Sequence, residues 1–166
     1  MIPLVRIDNR LLHGQILETW VPRLGVRAVV VADDDAAASP LAKAAMTLAL
    51  PSELSAAVVR LDEVDWAGLA AGKEPVLVLL REVASLERAM AAGLTPAMAR
   101  RVNLGNIHYS RDRRAVTPSV FLSEAELRVI LAAAAAGFEV EARAVPSDAP
   151  AGPADLQSRY NAAGGG

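Results

Sequence analysis

The sequence predicts an α/β fold, a three-layer α/β/α sandwich built around an open, mostly parallel β-sheet. Short β-branched and aliphatic runs alternate along the chain with longer segments whose apolar residues recur at helical spacing. The connections between these segments are short, which favours strands joined by crossover helices. The 166 residues, 53% of them hydrophobic, suffice for one domain with a sizeable core. We expect this domain to span residues 1–162, with residues 163–166 as a disordered tail.

Six runs have the composition of strands. The first carries Pro3 near its start, where a strand tolerates proline. The second, VRAVVVA, is typical of a strand buried on both faces. The predicted strands are residues 2–7, 26–32, 55–61, 75–80, 101–104 and 138–144.

Helical segments fill the intervals, and their ends carry the usual signals. Gly25 ends the first helix, and Pro40 lies near the first position of the second. Asp62 is expected to cap the third, and Ser123 with Glu126 forms a capping box for the fifth. The predicted helices are residues 11–23 (entered through a loop), 40–50, 62–71, 82–92, 123–136 and 154–161, and residues 103–114 are predicted as a polar loop.

Composition excludes several classes of function. The chain has no cysteine, which excludes disulfides, a thiol nucleophile and cysteine-based metal centres. A net charge of −2 and 4% aromatic residues argue against nucleic-acid binding. The longest apolar runs fall short of the roughly 20 residues that span a bilayer, and no secretory signal is recognised. We therefore expect a cytoplasmic protein. We also predict no metal site. No nucleotide-binding motif is present, so we predict no cofactor.

Function is expected where strands end, because parallel α/β sheets bind ligands at the carboxyl ends of their strands. The loop after the first strand is the richest of these: Arg6, Asp8, Arg10 and His13 lie within eight residues. The helix that follows directs free N–H groups and its positive end at the same loop. Arginine forks bind phosphate oxygens, and a neutral imidazole is a nucleophile near pH 7. These residues therefore predict a phosphoryl group held against His13.

Simpler roles remain open for some of these residues at this point. The alternative for His13 is a purely structural role, as a helix cap or as a hydrogen-bond partner of a backbone carbonyl, although its position in a polar strand-end loop favours function. Arg6 can pair with any nearby carboxylate, and Asp8 can form an Asx turn or a salt bridge to Arg10.

Two further strand-end segments are candidates for the rim of the same crevice. Three aspartates at residues 33–35 follow the second strand. They have the oxygen ligands that Mg²⁺ prefers, but an acidic helix start is the preferred interpretation. After the fifth strand, a small and amide-rich loop allows close approach of a ligand to the backbone. The candidate rim residues are Asp33, Asn103, Gly105 and His108, with His108 either paired with His13 or simply at the rim.

The run RIDNRLLHGQ at residues 6–15 closely resembles the phosphorylation-site motif R-I-D-D-R-L-I-H-G-Q of one protein family. That family is the EIIB component of the mannose/fructose/sorbose class of the bacterial phosphoenolpyruvate-dependent sugar phosphotransferase system. Asn9 stands here in place of the second aspartate and Leu12 in place of the isoleucine. Weaker resemblances lie at the second strand and its acidic end (residues 29–34), at the N-[VI]-G-[GN] loop (residues 103–108), and at the closing G-x-x-V-x-x-x-x-V-P (residues 137–146).

The resemblance implies a phosphoryl carrier with an open α/β/α sandwich. The chain would accept a phosphoryl group from the phosphohistidine of an EIIA partner onto Nδ1 of His13 and pass it to a sugar imported by the membrane EIIC/EIID pair. It would thus act as a protein-Nπ-phosphohistidine–sugar phosphotransferase, in the cytoplasm or attached peripherally to the inner membrane through EIIC/EIID. The matching loop residues are Arg6, Asp8, Asn9, Arg10, Gly14 and Gln15, with Arg10 the better candidate for contacting the phosphoryl group.

Two other functions remain open from the sequence. A regulatory phosphocarrier would use His13 in the same way without transporting sugar. A small-ligand enzyme would use His13 and His108 as general acid and base. The identity of the sugar and the oligomeric state are not encoded in any motif of this chain.

Overall fold

The computed structural model describes residues 1–48 and 50–164 and confirms the predicted fold class. Six strands form one sheet in the order β3-β2-β4-β1-β5-β8, and every neighbouring pair is parallel. Two shorter strands, β6 and β7, form a separate antiparallel hairpin. The strands are β1 (Leu4–Asp8), β2 (Ala28–Ala32), β3 (Ser55–Val59), β4 (Val76–Leu80), β5 (Arg101–Asn106), β6 (Arg114–Thr117), β7 (Val120–Leu122) and β8 (Glu139–Ala142).

Helices cover both faces of the sheet. The first helical segment contains a π-helical turn at Ile16–Trp20, which continues directly into α1. A single 3₁₀ turn at Leu61–Glu63 precedes α4. The helices are α1 (Val21–Leu24), α2 (Asp34–Ala38), α3 (Pro40–Thr47), α4 (Trp66–Ala71), α5 (Val83–Ala91), α6 (Glu124–Ala135) and α7 (Pro153–Ala163).

Strand β1 lies in the middle of the sheet, between β4 and β5, and divides two apolar cores. All five of its residues are buried. Because side chains alternate along a strand, Val5 and Ile7 join the core beneath α5 and α6, whereas Leu4 joins the core that contains Trp20. Arg6 and Asp8 share the face of Leu4, so the strand alternation places both of them on the side covered by Trp20.

Several boundaries differ from the predictions. The aspartates at 33–35 begin a helix, which confirms the preferred interpretation of this acidic segment, but that helix is the short α2, and a separate helix, α3, begins at Pro40. Asp65 caps α4, with its side chain accepting from Gly68 N–H, and Asp62 lies in the preceding 3₁₀ turn. The hairpin β6–β7 occupies part of a segment that carried no predicted strand.

The end of the chain differs as well. Helix α7 continues through Ala163, and the N–H of Gly164 closes its last turn, so helical structure extends into the first two residues of the predicted tail. The remaining two residues of the predicted tail, 165–166, lie outside the described residues.

The capping box of α6 is expected to make a measurable contribution to the stability of the fold. Ser123 Oγ accepts from Glu126 N–H at 3.2 Å, and Glu126 Oε2 accepts from Ser123 N–H at 2.9 Å. Replacing Ser123 with alanine should lower the free energy of unfolding by about 1 kcal/mol. Urea denaturation measures this change, and a matched substitution of exposed Ser158, away from any helix cap, should leave the free energy nearly unaltered.

Candidate active site

The carboxyl end of β1 lies at the point where the strand order reverses, since the chain builds β2, β3 and β4 on one side of β1 and β5 and β8 on the other. Such a switch point is where open α/β sheets bind ligands. A turn follows immediately, closed by Leu11 N–H donating to Asp8 O at 2.9 Å. Leu11 has φ +56°, a left-handed conformation that costs a leucine free energy. Its side chain is nevertheless buried, so packing holds this strained turn in place.

The carboxylate of Asp8 is the centre of the loop. It is fully buried and accepts from five donor atoms: Arg6 Nη2, Arg10 N, Arg10 Nε, Arg10 Nη2 and His13 Nε2. Burial alone raises the pKa of a carboxyl group, but the hydrogen bonds from His13 and Arg10 and the charge of Arg6 outweigh burial here and lower the pKa of Asp8 to about 2. Asp8 is therefore ionised at neutral pH and acts only as an acceptor.

This acceptor decides which nitrogen of His13 carries the hydrogen. His13 Nε2 lies 3.1 Å from Asp8 Oδ2. Because the ionised carboxylate has no hydrogen to give, Nε2–H of His13 is the donor. A neutral imidazole carries one N–H, so Nδ1 of His13 keeps a free lone pair. The side chain is 18% exposed, which holds the ring in place while leaving it accessible.

Arg6 supports Asp8 from within the protein. Its guanidinium is fully buried and donates to Asp8 Oδ2 at 2.9 Å, to Asn103 Oδ1 at 2.5 Å and to the carbonyl of Ala144 at 3.0 Å. The Trp20 ring lies 5.0 Å from its Cζ. Burial lowers the pKa of Arg6, opposed by the charge of Asp8, yet an arginine remains charged at any physiological pH. Arg6 is thus committed to holding Asp8 and is not free to contact a ligand.

Arg10, Gly14 and Gln15 surround the exposed side of the loop. Arg10 is 41% exposed, donates from Nε to Asp8 Oδ1 at 3.2 Å, and donates from Nη2 to Gln15 Oε1 at 3.0 Å. Helical structure begins at Gly14, where the first N–H groups of a helix have no partner within it. A cation and unpaired N–H groups beside a nucleophilic nitrogen are what a phosphoryl group requires.

The family model described as PTS system sorbose subfamily IIB component matches residues 2–162 of this chain. This chain belongs to that family. The phosphotransferase system (PTS) assignment made from the RIDNRLLHGQ run is therefore confirmed, and phosphoryl transfer in a sugar PTS is the function of this IIB component.

Individual relatives of this chain support the family assignment. The fructose-specific PTS EIIB component of Bacillus subtilis (strain 168) is 29% identical over 150 residues, covering 89% of this chain and 90% of that protein. The N-acetylgalactosamine-specific phosphotransferase enzyme IIB component 2 of Escherichia coli (strain K12) is 28% identical over 148 residues, covering 89% and 92%. The crystal structure of manxB from Thermoanaerobacter tengcongensis has a TM-score of 0.84 at 25% identity, covering 96% of both chains.

Asn9, at the position where the family motif has aspartate, ties three strand ends together in this IIB chain. Its Nδ2 donates to the carbonyl of Arg81, after β4, at 2.8 Å. Its Oδ1 accepts from the N–H of His108, after β5, at 2.6 Å. Asn9 N–H also donates to Asn106 O. An ionised aspartate would lack the donor for Arg81, so asparagine suits these partners.

The predicted rim residues occupy three different places. Asn103 and Gly105 are buried beneath the loop, beside Arg6, and so are not at a rim. His108 is exposed, and its contacts with the loop run through its backbone N–H. Asp33 caps α2 and accepts two hydrogen bonds from Arg81, at 2.6 and 2.7 Å.

A shallow, largely apolar groove of about 620 Å³ adjoins the exposed side of His13. Apart from His13 itself, it is lined by Leu12, Gly14, Leu17, Glu18, Ala45, Met46 and Pro51. Asp33 instead lines a separate, polar cavity of about 220 Å³ with Arg81 and Arg88. The acidic segment at 33–35 therefore does not join His13 in one crevice.

Sequence reasoning missed the part played by residues 143–144, just beyond β8. The carbonyl of Ala144 accepts from both Arg6 Nη2 and Trp20 Nε1 at 3.0 Å, and the carbonyl of Arg143 accepts from Asn103 Nδ2 at 3.3 Å. The acceptors are main-chain carbonyls, which every residue type carries, so no side-chain motif predicts these hydrogen bonds.

Within residues 1–48 and 50–164, no helix combines the length and hydropathy needed to cross a bilayer.

Acid should weaken the fold through Asp8. Because its pKa falls from an ordinary 3.8 to about 2 on folding, Asp8 contributes about 2 kcal/mol of stability that is fully present above pH 3.8. That contribution disappears as the pH falls through 2, where the folded state also binds the proton. Urea denaturation at several pH values measures it, as the difference between the wild type and an Arg6→Met/Asp8→Asn double variant. A difference that stays constant across this window would contradict the assignment.

Proposed function

We propose that His13 is the phosphoryl carrier of this IIB component. It accepts the phosphoryl group on Nδ1 from the phosphohistidine of an EIIA-type donor and passes it to a sugar that enters through an EIIC/EIID permease. The observation that carries this proposal is the hydrogen bond from His13 Nε2 to Asp8 Oδ2, since it leaves the Nδ1 lone pair free. The activity is that of a protein-Nπ-phosphohistidine–sugar phosphotransferase.

The first transfer follows from this geometry. The Nδ1 lone pair of His13 attacks phosphorus while the N–P bond of the donor breaks, and the donor nitrogen keeps the electron pair. As positive charge develops on the ring, the Asp8 carboxylate stabilises it through Nε2–H, as the buried aspartate of a catalytic triad does. Arg10 and the first N–H groups of the helix at Gly14 are placed to stabilise the phosphoryl oxygens.

The second transfer reverses these roles. The N–P bond at Nδ1 breaks and its electron pair returns to Nδ1, while a sugar hydroxyl oxygen forms the new O–P bond and releases its proton to solvent. The ring is left as the neutral Nε2–H tautomer against Asp8. Both steps exchange one phosphoryl bond for another, so neither requires ATP, a metal or a cofactor, and positioning supplies most of the catalysis.

Membership of the family supports the proposed partners. Relatives named for fructose, N-acetylgalactosamine and mannose indicate a sugar of the hexose class as the final acceptor. The mannose-specific relative from E. coli (strain K12) is named as an EIIAB component, which combines an A part with a B part. This name supports an EIIA-type donor for the present chain. We place the working protein in the cytoplasm, at the inner face of the membrane when it meets EIIC/EIID.

Two phosphoryl donors test the proposal. Phosphoramidate, a small molecule with a P–N bond, tests the chemistry of His13 alone, and phospho-EIIA made from phosphoenolpyruvate, enzyme I and HPr tests the relay. We expect one acid-labile phosphate by intact mass, located on His13 by peptide mapping and on Nδ1 by ³¹P NMR. Acid-stable phosphate, or phosphate on another residue, would overturn the assignment.

A further inference from the structure

Gly105 lies against the guanidinium of Arg6. Strand β5 pairs with β1 so that Ile7 faces Leu104, but Asp8 faces Asn106, which leaves Gly105 as the extra residue of a β-bulge. Its φ is not in the left-handed region. The backbone at this position therefore accepts any L-amino acid, and conformation alone does not require glycine.

Space does require glycine. A Cβ built on Gly105 lies closer than 3.0 Å to Cζ, Nη1 and Nη2 of Arg6, a separation that Cβ atoms essentially never show. These three atoms are the head of the guanidinium, so the flat face of the group lies directly over the Gly105 Cα. Even the smallest side chain would overlap it.

The guanidinium cannot move aside at low cost. It is fully buried and makes four hydrogen bonds: to Asn103 Oδ1, to Asp8 Oδ2 and to the carbonyls of Ala144 and Arg143. A long side chain at the surface would swing into solvent, but Arg6 is fully buried, so any displacement breaks charge-assisted bonds that solvent does not reach to replace.

A displacement of Arg6 reaches His13 through a single oxygen. Asp8 Oδ2 accepts both from Arg6 Nη2, at 2.9 Å, and from His13 Nε2, at 3.1 Å. If Arg6 moves, this oxygen loses its buried cation and the carboxylate is free to rotate toward Arg10, which bonds chiefly Oδ1. The bond that fixes the His13 tautomer is then weakened.

We propose that Gly105 is a positioning residue for phosphoryl transfer, acting through Arg6 and Asp8 on the orientation and tautomer of His13. The inference rests on the proposed role of His13. Residues that support a reacting group in this way typically affect activity by about 10–100-fold when they are replaced.

The test uses Gly105→Ala with phosphoramidate as donor, so that no partner protein is needed. We expect the labelling rate of His13 to fall by about tenfold or more. Gly152→Ala is the matched control, because a Cβ there meets nothing within 4 Å, and it should be labelled at the wild-type rate. The His13 ring is read independently by ¹⁵N NMR, which should show Nε2–H alone in the wild type and a mixture of tautomers in Gly105→Ala.

A rescue variant separates positioning from loss of folding. Arg6→Met ends the side chain before Cζ, Nη1 and Nη2, the atoms with which the new methyl collides, so Gly105→Ala/Arg6→Met should be labelled no more slowly than Arg6→Met alone. Effects that multiply instead, or a Gly105→Ala protein with the wild-type rate and tautomer, would overturn the inference. Absence of label on wild-type His13 would refute the proposed function, while the tautomer spectra would still decide the role of Gly105.

Discussion

His13→Gln is expected to accept no phosphoryl group from phosphoramidate or from phospho-EIIA. Glutamine carries no nucleophilic nitrogen, because its amide lone pair is delocalised, yet its N–H can donate to Asp8 Oδ2 as His13 Nε2 does. The fold should therefore persist, with a free energy of unfolding close to that of the wild type. Intact mass after incubation with each donor measures acceptance, and urea denaturation measures stability.

His108→Gln is the matched histidine control. The side chain of His108 is exposed, and its bonds to Asn9 and Arg113 run through its backbone N–H and carbonyl, which the substitution keeps. We expect the wild-type rate of labelling by phosphoramidate. An acid–base enzyme that used both histidines would lose activity in either variant, so a large loss in His108→Gln would favour that function over the relay.

Asp8→Asn should slow labelling of His13 by about 10⁴-fold, the scale of the loss when the aspartate of a Ser-His-Asp triad becomes asparagine. The amide has one acceptor oxygen where the carboxylate serves five donor atoms. Its NH₂ group, placed against His13, donates to Nε2 and so favours the Nδ1–H tautomer. The nitrogen that must attack phosphorus then carries a hydrogen, and the ring loses the anion that stabilises its developing charge.

The same substitution should destabilise the fold by about 3–5 kcal/mol, because it leaves the buried charge of Arg6 without its counter-ion. A double variant, Arg6→Met/Asp8→Asn, removes both charges and keeps the experiment interpretable if the single variant unfolds. Asp34→Asn is the matched control, since Asp34 also lies at a strand end but pairs with Arg88, away from His13. A folded Asp8→Asn protein with the wild-type rate would show that Asp8 does not orient His13.

The sequence was sufficient to predict the fold class and the long strands of the central sheet. Runs such as residues 76–80 are apolar without interruption, and the sheet buries this strand completely, because burial on both faces leaves no polar position in a parallel strand. Short elements were harder to predict. The hairpin β6–β7 has strands of only four and three residues, too few for an alternating pattern to be distinguished from a loop. Likewise, α2 is five residues long, and the acidic residues that begin it also fitted an ion-binding loop.

The candidate site divides in the same way. Residues 6–15 by themselves determine which groups are available, since a histidine, two arginines, a carboxylate and a helix start all lie within these ten residues. What each group does depends on partners that are distant in sequence: Arg6 is bound by residues 103, 143 and 144, and Asn9 by residues 81 and 108.

Only the tertiary structure decided that Arg6 is a buried support, that Asn103 and Gly105 lie beneath the loop, and that Asp33 belongs to another cavity. The physical reason is that hydrogen bonding and burial are satisfied by whatever groups the sheet brings together, many of them backbone carbonyls that carry no signature in the amino-acid sequence.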